Sequence, residues 1–401
     1  MIKAVLLDLD ETLIHNPANR FVEAYIKHLI DFMVHHRPDL AVPQLTKAIL
    51  NATRQTITNC EPTTTNRDVF YGYFTAAMGL PADDMTPLMQ EFMETAYPDL
   101  RPLTAPIPIA VELVEWLLQH QVAVAVATNP LFHRSAIEQR IQWAGLDPTK
   151  FWFVTTLDNV HYTKPHSQYY EEILTRLGFE PDEALMIGDD WNNDMVPAWQ
   201  AGLNTFWINP QNPAPNHLQP DGIGSLEDLY TLITQDEWLM TLQPRPVQVA
   251  QIEPRFQGNI SALLGMVSEI PDHYWHQRPD PNEWSPLEII VHLRDSERTT
   301  QRSRLQTIAH EDNPFLTSPP TPPDPGTQHL IGLDGMAVAL EFAAERAATI
   351  MWLGSLSEKD WMRPARHSIF GPTTLLEMAA FTARHDRLHI NQLCQTVGKC
   401  E

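Results

Sequence analysis

The apolar run Ala4-Val5-Leu6-Leu7 ends in Asp8-Leu9-Asp10-Glu11-Thr12, so two carboxylates come directly after a segment with the character of a buried strand. An open α/β sheet places its chemistry at that end of its strands. Side chains alternate in extended backbone, so Asp8 and Asp10 point to one side, where they can hold a divalent cation against a bound anion. Neighbouring carboxylates repel one another, and a metal or a shared proton normally offsets that repulsion. Read alone, the pair fits either this role or a turn in which Asp10 caps the next element.

Three further segments bear on the choice. Val122-Ala123-Val124-Ala125-Val126-Ala127-Thr128-Asn129 is a β-rich run ending in a hydroxyl and an amide, both able to hydrogen-bond an anionic oxygen. In Thr163-Lys164-Pro165 the proline suits the first position of a helix, which predicts Lys164 beside a helix N-terminus, where anions are favoured. Ala184-Leu185-Met186-Ile187-Gly188-Asp189-Asp190, followed by Trp191-Asn192-Asn193-Asp194, sets more carboxylates after another strand. Gly188 permits a tight turn there, and Asp189 can complete an oxygen-rich Mg²⁺ shell.

These four segments in this order resemble the haloacid dehalogenase superfamily of hydrolases, over residues 1–240. The resemblance implies a Rossmann-like parallel sheet in which Asp8 is the nucleophile and becomes an aspartyl-phosphate. Asp10 is then the general acid and base, while Thr128, Asn129 and Lys164 bind the phosphoryl group. The implied Mg²⁺ site uses Asp8, Asp10 through its main-chain carbonyl, and Asp189, with Asp194 orienting Lys164 or supporting the metal. An Asp two positions after the nucleophile is typical of the phosphatases and phosphomutases of that superfamily rather than of its dehalogenases.

Between the first two segments, Phe21 to Val34, Leu45 to Ile57 and Leu88 to Ala96 carry apolar residues at helical spacing. They predict a helical cap over about residues 15–105, inserted into a core of 1–14 and 106–240 and able to close over the site. The polar residues Arg54, Asn59, Arg67, Tyr71 and Tyr73 form no pattern in this stretch and read as surface.

A length of 401 residues calls for more than one core, and a formal charge of −23 repels phosphate backbones, which argues against a nucleic-acid partner. Three cysteines without metal-type spacing (Cys60, Cys394, Cys400) fit a reducing cytoplasm. Asp8 and Asp10 interrupt the first apolar stretch too early for a signal sequence, and no run is long enough to span a membrane. Pro213, Pro215 and Pro220 punctuate the end of the first domain, and Gln243-Pro244-Arg245-Pro246 belongs to a stiff linker over 241–253. The proline-rich stretch Ser318 to Gly326 predicts a long loop, because no helix passes through it.

Around that loop, residues 254–401 read as all-helical. Arg255 to Ile270 and Asp334 to Leu356 have helical spacing, and Ser285-Pro286-Leu287-Glu288 and Thr374-Leu375-Leu376-Glu377 each have the form of a capping box opening a long helix. Four such helices suggest a bundle. His385 and His389 share one helix face, and His292 lies at a comparable depth in the other capped helix, so three imidazoles can meet if the helices are neighbours. The alternative is a polar helix face with a satisfied core histidine.

The strings Asn282 to Leu293 and Phe370 to Glu377, with His385-Asp386-Arg387-Leu388-His389-Ile390-Asn391-Gln392-Leu393, are similar to the DinB-like family of four-helix bundles. That resemblance implies a metal held by His292, His385 and His389, with Zn²⁺, Ni²⁺ and Fe²⁺ all suited to imidazole. Asp295 shares a face with His292 and is expected to orient it, while Glu288 completes its capping box. The expectation is therefore an α/β phosphatase of a small phosphorylated metabolite, dependent on Mg²⁺, fused to an all-α metal-binding bundle that can pair two chains. A rival makes the bundle the functional centre, as a thiol-dependent transferase or isomerase, or as a metal-sensing or dimerising module.

Overall fold

The computed structural model describes residues 1–209, 215, 218–317, 330 and 332–400. The chain divides into two compact units, Met1–Tyr170 with Pro181–Pro244, and Glu171–Glu180 with Arg245–Glu401. The proline at 213 and the loop expected over Ser318 to Gly326 lie outside the described residues. No helix among the described residues is long and apolar enough to cross a membrane.

The chain opens with β1 (Ala4–Leu7) and β2 (Ile14–His15), then runs through the helices α1 (Ala18–His36), α2 (Val42–Thr58), α3 (Asn66–Met78) and α4 (Ala82–Thr95) to β3 (Ala105–Pro106). β2 pairs antiparallel with β3, Ile14 against Pro106, so the chain leaves for the helices and returns from them at one neck. The cap has its own apolar core, in which Phe21, Leu29, Met33, Ile49, Phe74 and Phe92 meet. Helical spacing had not marked α3, which Thr65 caps by accepting from the backbone N–H of Asp68.

The chain continues through α5 (Pro108–Gln119), β4 (Ala123–Val126), α6 (Arg134–Trp143), β5 (Phe153–Val154), α7 (Ser167–Leu177), β6 (Ala184–Gly188), α8 (Val196–Ala201), β7 (Asn204–Ile208), β8 (Gly222–Gly224) and α9 (Leu226–Gln235). The sheet has the order β5-β4-β1-β6-β7-β8, and every neighbouring pair is parallel. Strands β1, β4, β6 and β7 are buried along their whole length, which is why β1, β4 and β6 read as unbroken apolar runs. Leu7 stands opposite both Val126 and Ile187. That register brings the residues following β1, β4 and β6 out at one edge of the sheet.

The second unit contains α10 (Ile252–Val267), α11 (Pro286–Ser296), α12 (Arg302–His310), β9 (Phe315–Leu316), α13 (Gly335–Gly354), α14 (Glu358–Trp361), β10 (Pro364–His367), β11 (Gly371–Thr374) and α15 (Leu375–Cys400). Ile260, Leu263, Ile290, Leu293, Phe342 and Ile390 form a core shared by α10, α11, α13 and α15. Both expected capping boxes are present: Ser285 and Glu288 satisfy each other's backbone N–H groups, as do Thr374 and Glu377. Between α11 and α12 lies a π-helical turn, Glu297–Gln301, so the backbone stays helical from Pro286 to His310. The all-helical expectation omits one feature, a three-stranded sheet in the order β11-β10-β9. In β10, Ala365 and His367 turn inward while Pro364 and Arg366 stay exposed, a period of two too short to stand out in sequence.

Candidate active site and metal centre

Because β1, β4 and β6 end in register, Asp8 lies next to the loops after the other two strands. The backbone N–H of Asp8 donates to Ile187 O (2.9 Å) and that of Ala127 to Leu7 O (2.7 Å). Asp8, Asp189 and Asp194 each offer a carboxylate oxygen within 4.8 Å of the others. The Asp194 side chain is aimed back at the strand end by a π-helical turn, Trp191–Met195, and a Cβ on residue 188 would lie 2.3 Å from Asp194 Oδ2, so only glycine fits there.

Lys164 is buried among these acids. Its Nζ donates to Asp8 Oδ1 and to Asp194 Oδ1, the latter at 2.6 Å. Burial raises the pKa of the Asp8 and Asp194 carboxyls against the pull of Lys164, with neighbouring acids adding to the rise. Burial and the charge of Asp8 push Asp189 up to about 7. Burial alone would lower the pKa of Lys164, but Asp194 and Asp8 outweigh it and hold the ammonium charged. One ammonium facing three crowded carboxylates leaves a deficit of positive charge that a hard divalent cation fits. Helix α7 begins only at Ser167, so Pro165 stands in the preceding turn, and buried ion pairs rather than a helix N-terminus hold Lys164.

The Asp10 carboxylate, whose charge also bears on Asp8, is held by partners of its own. Its Oδ2 accepts from Arg140 Nη1 at 2.5 Å and its Oδ1 from Asn16 Nδ2 at 2.7 Å. Arg140 is 1 % exposed and its guanidinium lies over the rings of Phe132 (4.6 Å) and Phe21 (5.5 Å). Sequence reasoning missed this residue. The available signal was an arginine on the apolar face of α6, in line with Ala136, Ile137 and Ile141.

Thr128 is buried, and its main-chain oxygen accepts from Thr155 Oγ1 and Tyr169 Oη, both at 2.8 Å. Asn129 Oδ1 and Thr12 Oγ1 are buried polar atoms without a hydrogen-bond partner among the described residues. Thr12 closes the first motif and was not singled out in the sequence. Another unforeseen chain runs from Tyr71 Oη through His133 Nε2 (2.8 Å) and from His133 Nδ1 to Asp158 Oδ1 (3.0 Å).

In the second unit the three expected histidines come together. Ring centroids of His292 on α11 and of His385 and His389 on α15 lie 4.5–5.6 Å apart, and one nitrogen of each falls within 4.8 Å of the others. Burial, then the neighbouring His389 and His385, lowers His292 to about 4, and His389 is lowered by burial and His385. Neutral imidazole is the form that ligates metal. Asp295 is occupied by Arg294 at 2.8 Å, whereas Asp386 lies 3.6 Å from His385 Nδ1. Asp386 is gripped at both oxygens by Arg346 Nη2 (2.9 and 2.8 Å), whose Nη1 lies 2.6 Å from Glu297 Oε2. Asp295 acts on His292 as expected, more strongly than Asp386 does, and Asp386 is a further, buried carboxylate beside His385.

Comparison with known proteins agrees with this division. Residues 5–208 match the profile of haloacid dehalogenase-like hydrolases and residues 255–393 that of the DinB superfamily. A glyceraldehyde 3-phosphate phosphatase of Methanothermobacter thermautotrophicus is 31 % identical over 18 % of this chain and 32 % of its own length. The pyrophosphatase PpaX of Bacillus pumilus is 26 % identical over 52 % of this chain and 83 % of its own. Among solved structures, a HAD phosphatase of Thermococcus onnurineus aligns with a TM-score of 0.39 and 19 % identity over 58 % of this chain and 98 % of its own. The chain belongs to the haloacid dehalogenase-like hydrolases, and its later residues match the DinB superfamily.

Proposed function

We propose that the first unit hydrolyses a small phosphate monoester through Asp8. The observation that carries this reading is the placement of Asp8, Asp189 and Asp194 around one buried lysine at the sheet edge. An Asp8 oxygen attacks phosphorus and the ester P–O bond breaks, while Asp10 gives a proton to the departing oxygen. Asp10 then takes a proton from water, whose oxygen attacks the same phosphorus, the Asp8–phosphorus bond breaks, and inorganic phosphate leaves. Lys164 neutralises charge on Asp8, while the hydroxyls of Thr128 and Thr12 and the side-chain amide N–H of Asn129 donate toward the phosphoryl oxygens. Asp8, Asp189 and the main-chain oxygen of Asp10 would hold Mg²⁺, with Asp194 in support, and the ion would supply electrostatic stabilisation of the developing charge.

We also propose that the second unit binds one transition-metal ion through His292, His385 and His389, since one nitrogen of each lies within 4.8 Å of the others and burial favours the neutral form of His292 and His389. A phosphate-release screen with Mg²⁺ tests the first reading, starting from triose phosphates and pyrophosphate, which the relatives' names suggest. No turnover on any ester, in protein shown to be folded, would overturn it. Elemental analysis of the purified chain tests the second.

A further inference from the structure

A cavity of about 150 Å³ lies between the cap helices and the loops at the sheet edge. Leu29, Met33, Phe74 and Met85 line it from the cap. Its opposite wall is Leu131-Phe132-His133, which lies just beyond the second motif, with Leu157 from the loop after β5. That wall belongs to the same edge as Asp8. Phe132 joins the two places physically, because its ring lines the cavity and also packs under the Arg140 guanidinium that holds Asp10. The Phe132 ring and the Arg140 guanidinium are therefore the two groups between the cavity and Asp10, the carboxylate assigned to the leaving group.

The polar groups at this wall are already committed. Tyr71 Oη pairs with His133 Nε2, His133 Nδ1 with Asp158, and the other Asp158 oxygen accepts from the Arg134 backbone N–H at 2.9 Å. Among the described residues, no lysine or arginine lines the cavity to meet a second phosphate. A charged or heavily hydroxylated leaving group would lose its hydration there with only the Tyr25 and Thr53 hydroxyls as replacement partners, whereas an apolar one gains by leaving water. A cavity of about this volume lined by Leu, Ile and Phe is enough for a benzene-sized guest.

We propose that this cavity receives the leaving-group half of the substrate, so that the chain prefers a phosphate monoester of an apolar alcohol or phenol with about one aromatic ring's bulk. The proposal rests on the phosphatase reading above. It assigns Leu29, Met33, Phe74 and Met85 a specificity role that the sequence did not suggest.

The test uses the full chain with Mg²⁺ and compares benzyl phosphate with glycerol 3-phosphate, whose leaving groups are similar in basicity, with acetyl phosphate as a substrate too small to need the cavity. The expected result is a kcat/KM for benzyl phosphate about a hundredfold above that for glycerol 3-phosphate. Phe74→Trp, which fills the cavity, should cut the benzyl phosphate rate at least about tenfold and spare acetyl phosphate. Binding of benzylphosphonate against methylphosphonate by calorimetry repeats the comparison on wild-type protein should that variant fail to fold. A tenfold or larger advantage for the benzyl compound, with a negative heat-capacity change, is expected. Hydrolysis of acetyl and glycerol phosphates without benzyl preference overturns the cavity assignment alone. Absence of turnover on all three overturns the phosphatase reading instead, and equal binding of the two phosphonates overturns the cavity assignment independently of turnover.

Discussion

Arg140 reaches from α6 to grip Asp10 at 2.5 Å while its guanidinium is sandwiched near Phe132 and Phe21. The pair therefore does two things, fixing the Asp10 carboxylate and tying the apolar wall of the cap cavity to the sheet edge. Arg140→Lys keeps the charge but loses the planar stacking, and Arg140→Met leaves Asp10 without its cation. Because Asp10 is about a quarter exposed, the loss from Arg140→Met should be roughly 1–3 kcal/mol, below that of a fully buried pair. Urea unfolding of both variants checks this, with Arg140→Lys falling between wild type and Arg140→Met. Unchanged midpoints would make the ion pair incidental.

Asp8→Asn should abolish phosphate-ester turnover and leave the fold intact, because an amide cannot attack phosphorus and the lost charge was crowded by Asp194 and Asp10. Asp10→Asn should slow esters with poor leaving groups more than those with good ones, since the latter need less protonation. Rates across a series of substituted phenyl and alkyl phosphates decide it. Equal losses across the series would reduce Asp10 to a loop-forming residue held by Arg140 and Asn16.

The raised acids predict a definite pH dependence for the proposed Mg²⁺ binding. Asp189 moves from its ordinary 3.8 to about 7 through burial and the charge of Asp8. Between those values the metal-free folded protein keeps a proton that the unfolded chain has released. Its stabilising contribution is full below 3.8 and is lost as the pH rises through about 7. Mg²⁺ must expel that proton, so its affinity should climb with pH until about 7 and then level off. Melting temperatures with and without Mg²⁺ at about pH 5.5, pH 7 and pH 8.5 read this directly. A Mg²⁺-induced shift that is constant over that range would contradict it.

The strand-end acids were legible because β1, β4 and β6 are buried throughout, so apolar runs of four or five residues ending in Asp8, Thr128 and Asp189 advertise themselves. The histidine triad was legible through helical spacing within α15 and a matching cap on α11. Arg140, His133 and Asp158 were not, because their roles come from contacts across long stretches of chain and none sits in a periodic pattern of polar residues. Tyr71, read as surface, is buried on α3, a helix without a strong apolar stripe, and lines the cap cavity, while Arg67 is exposed as expected. Pro165 misled locally because buried ion pairs, not a helix start, fix Lys164. The place of Asp386 beside His385 was not legible, because its anchoring by Arg346 comes from a contact with another helix that spacing cannot show.

The last prediction separates the two centres. His292 falls from its ordinary 6.5 to about 4 because of burial and the neighbouring His389 and His385. In metal-free protein the unfolded chain takes up a proton below pH 6.5 that the folded bundle refuses until about pH 4. Stability is therefore full above 6.5 and drains away as the pH falls toward about 4. Bound metal should deepen that acid sensitivity, since it too requires neutral imidazoles. Purified protein should carry about one equivalent of a transition metal, and His385→Ala or His389→Ala should lose it. Each constellation has its own complete set of ligands, so a folded His292→Ala variant should lose the transition metal and keep most of its Mg²⁺-dependent turnover. A large fall in that turnover, with Asp8-dependent chemistry otherwise intact, would instead mean that the bundle metal regulates or completes the phosphatase reaction.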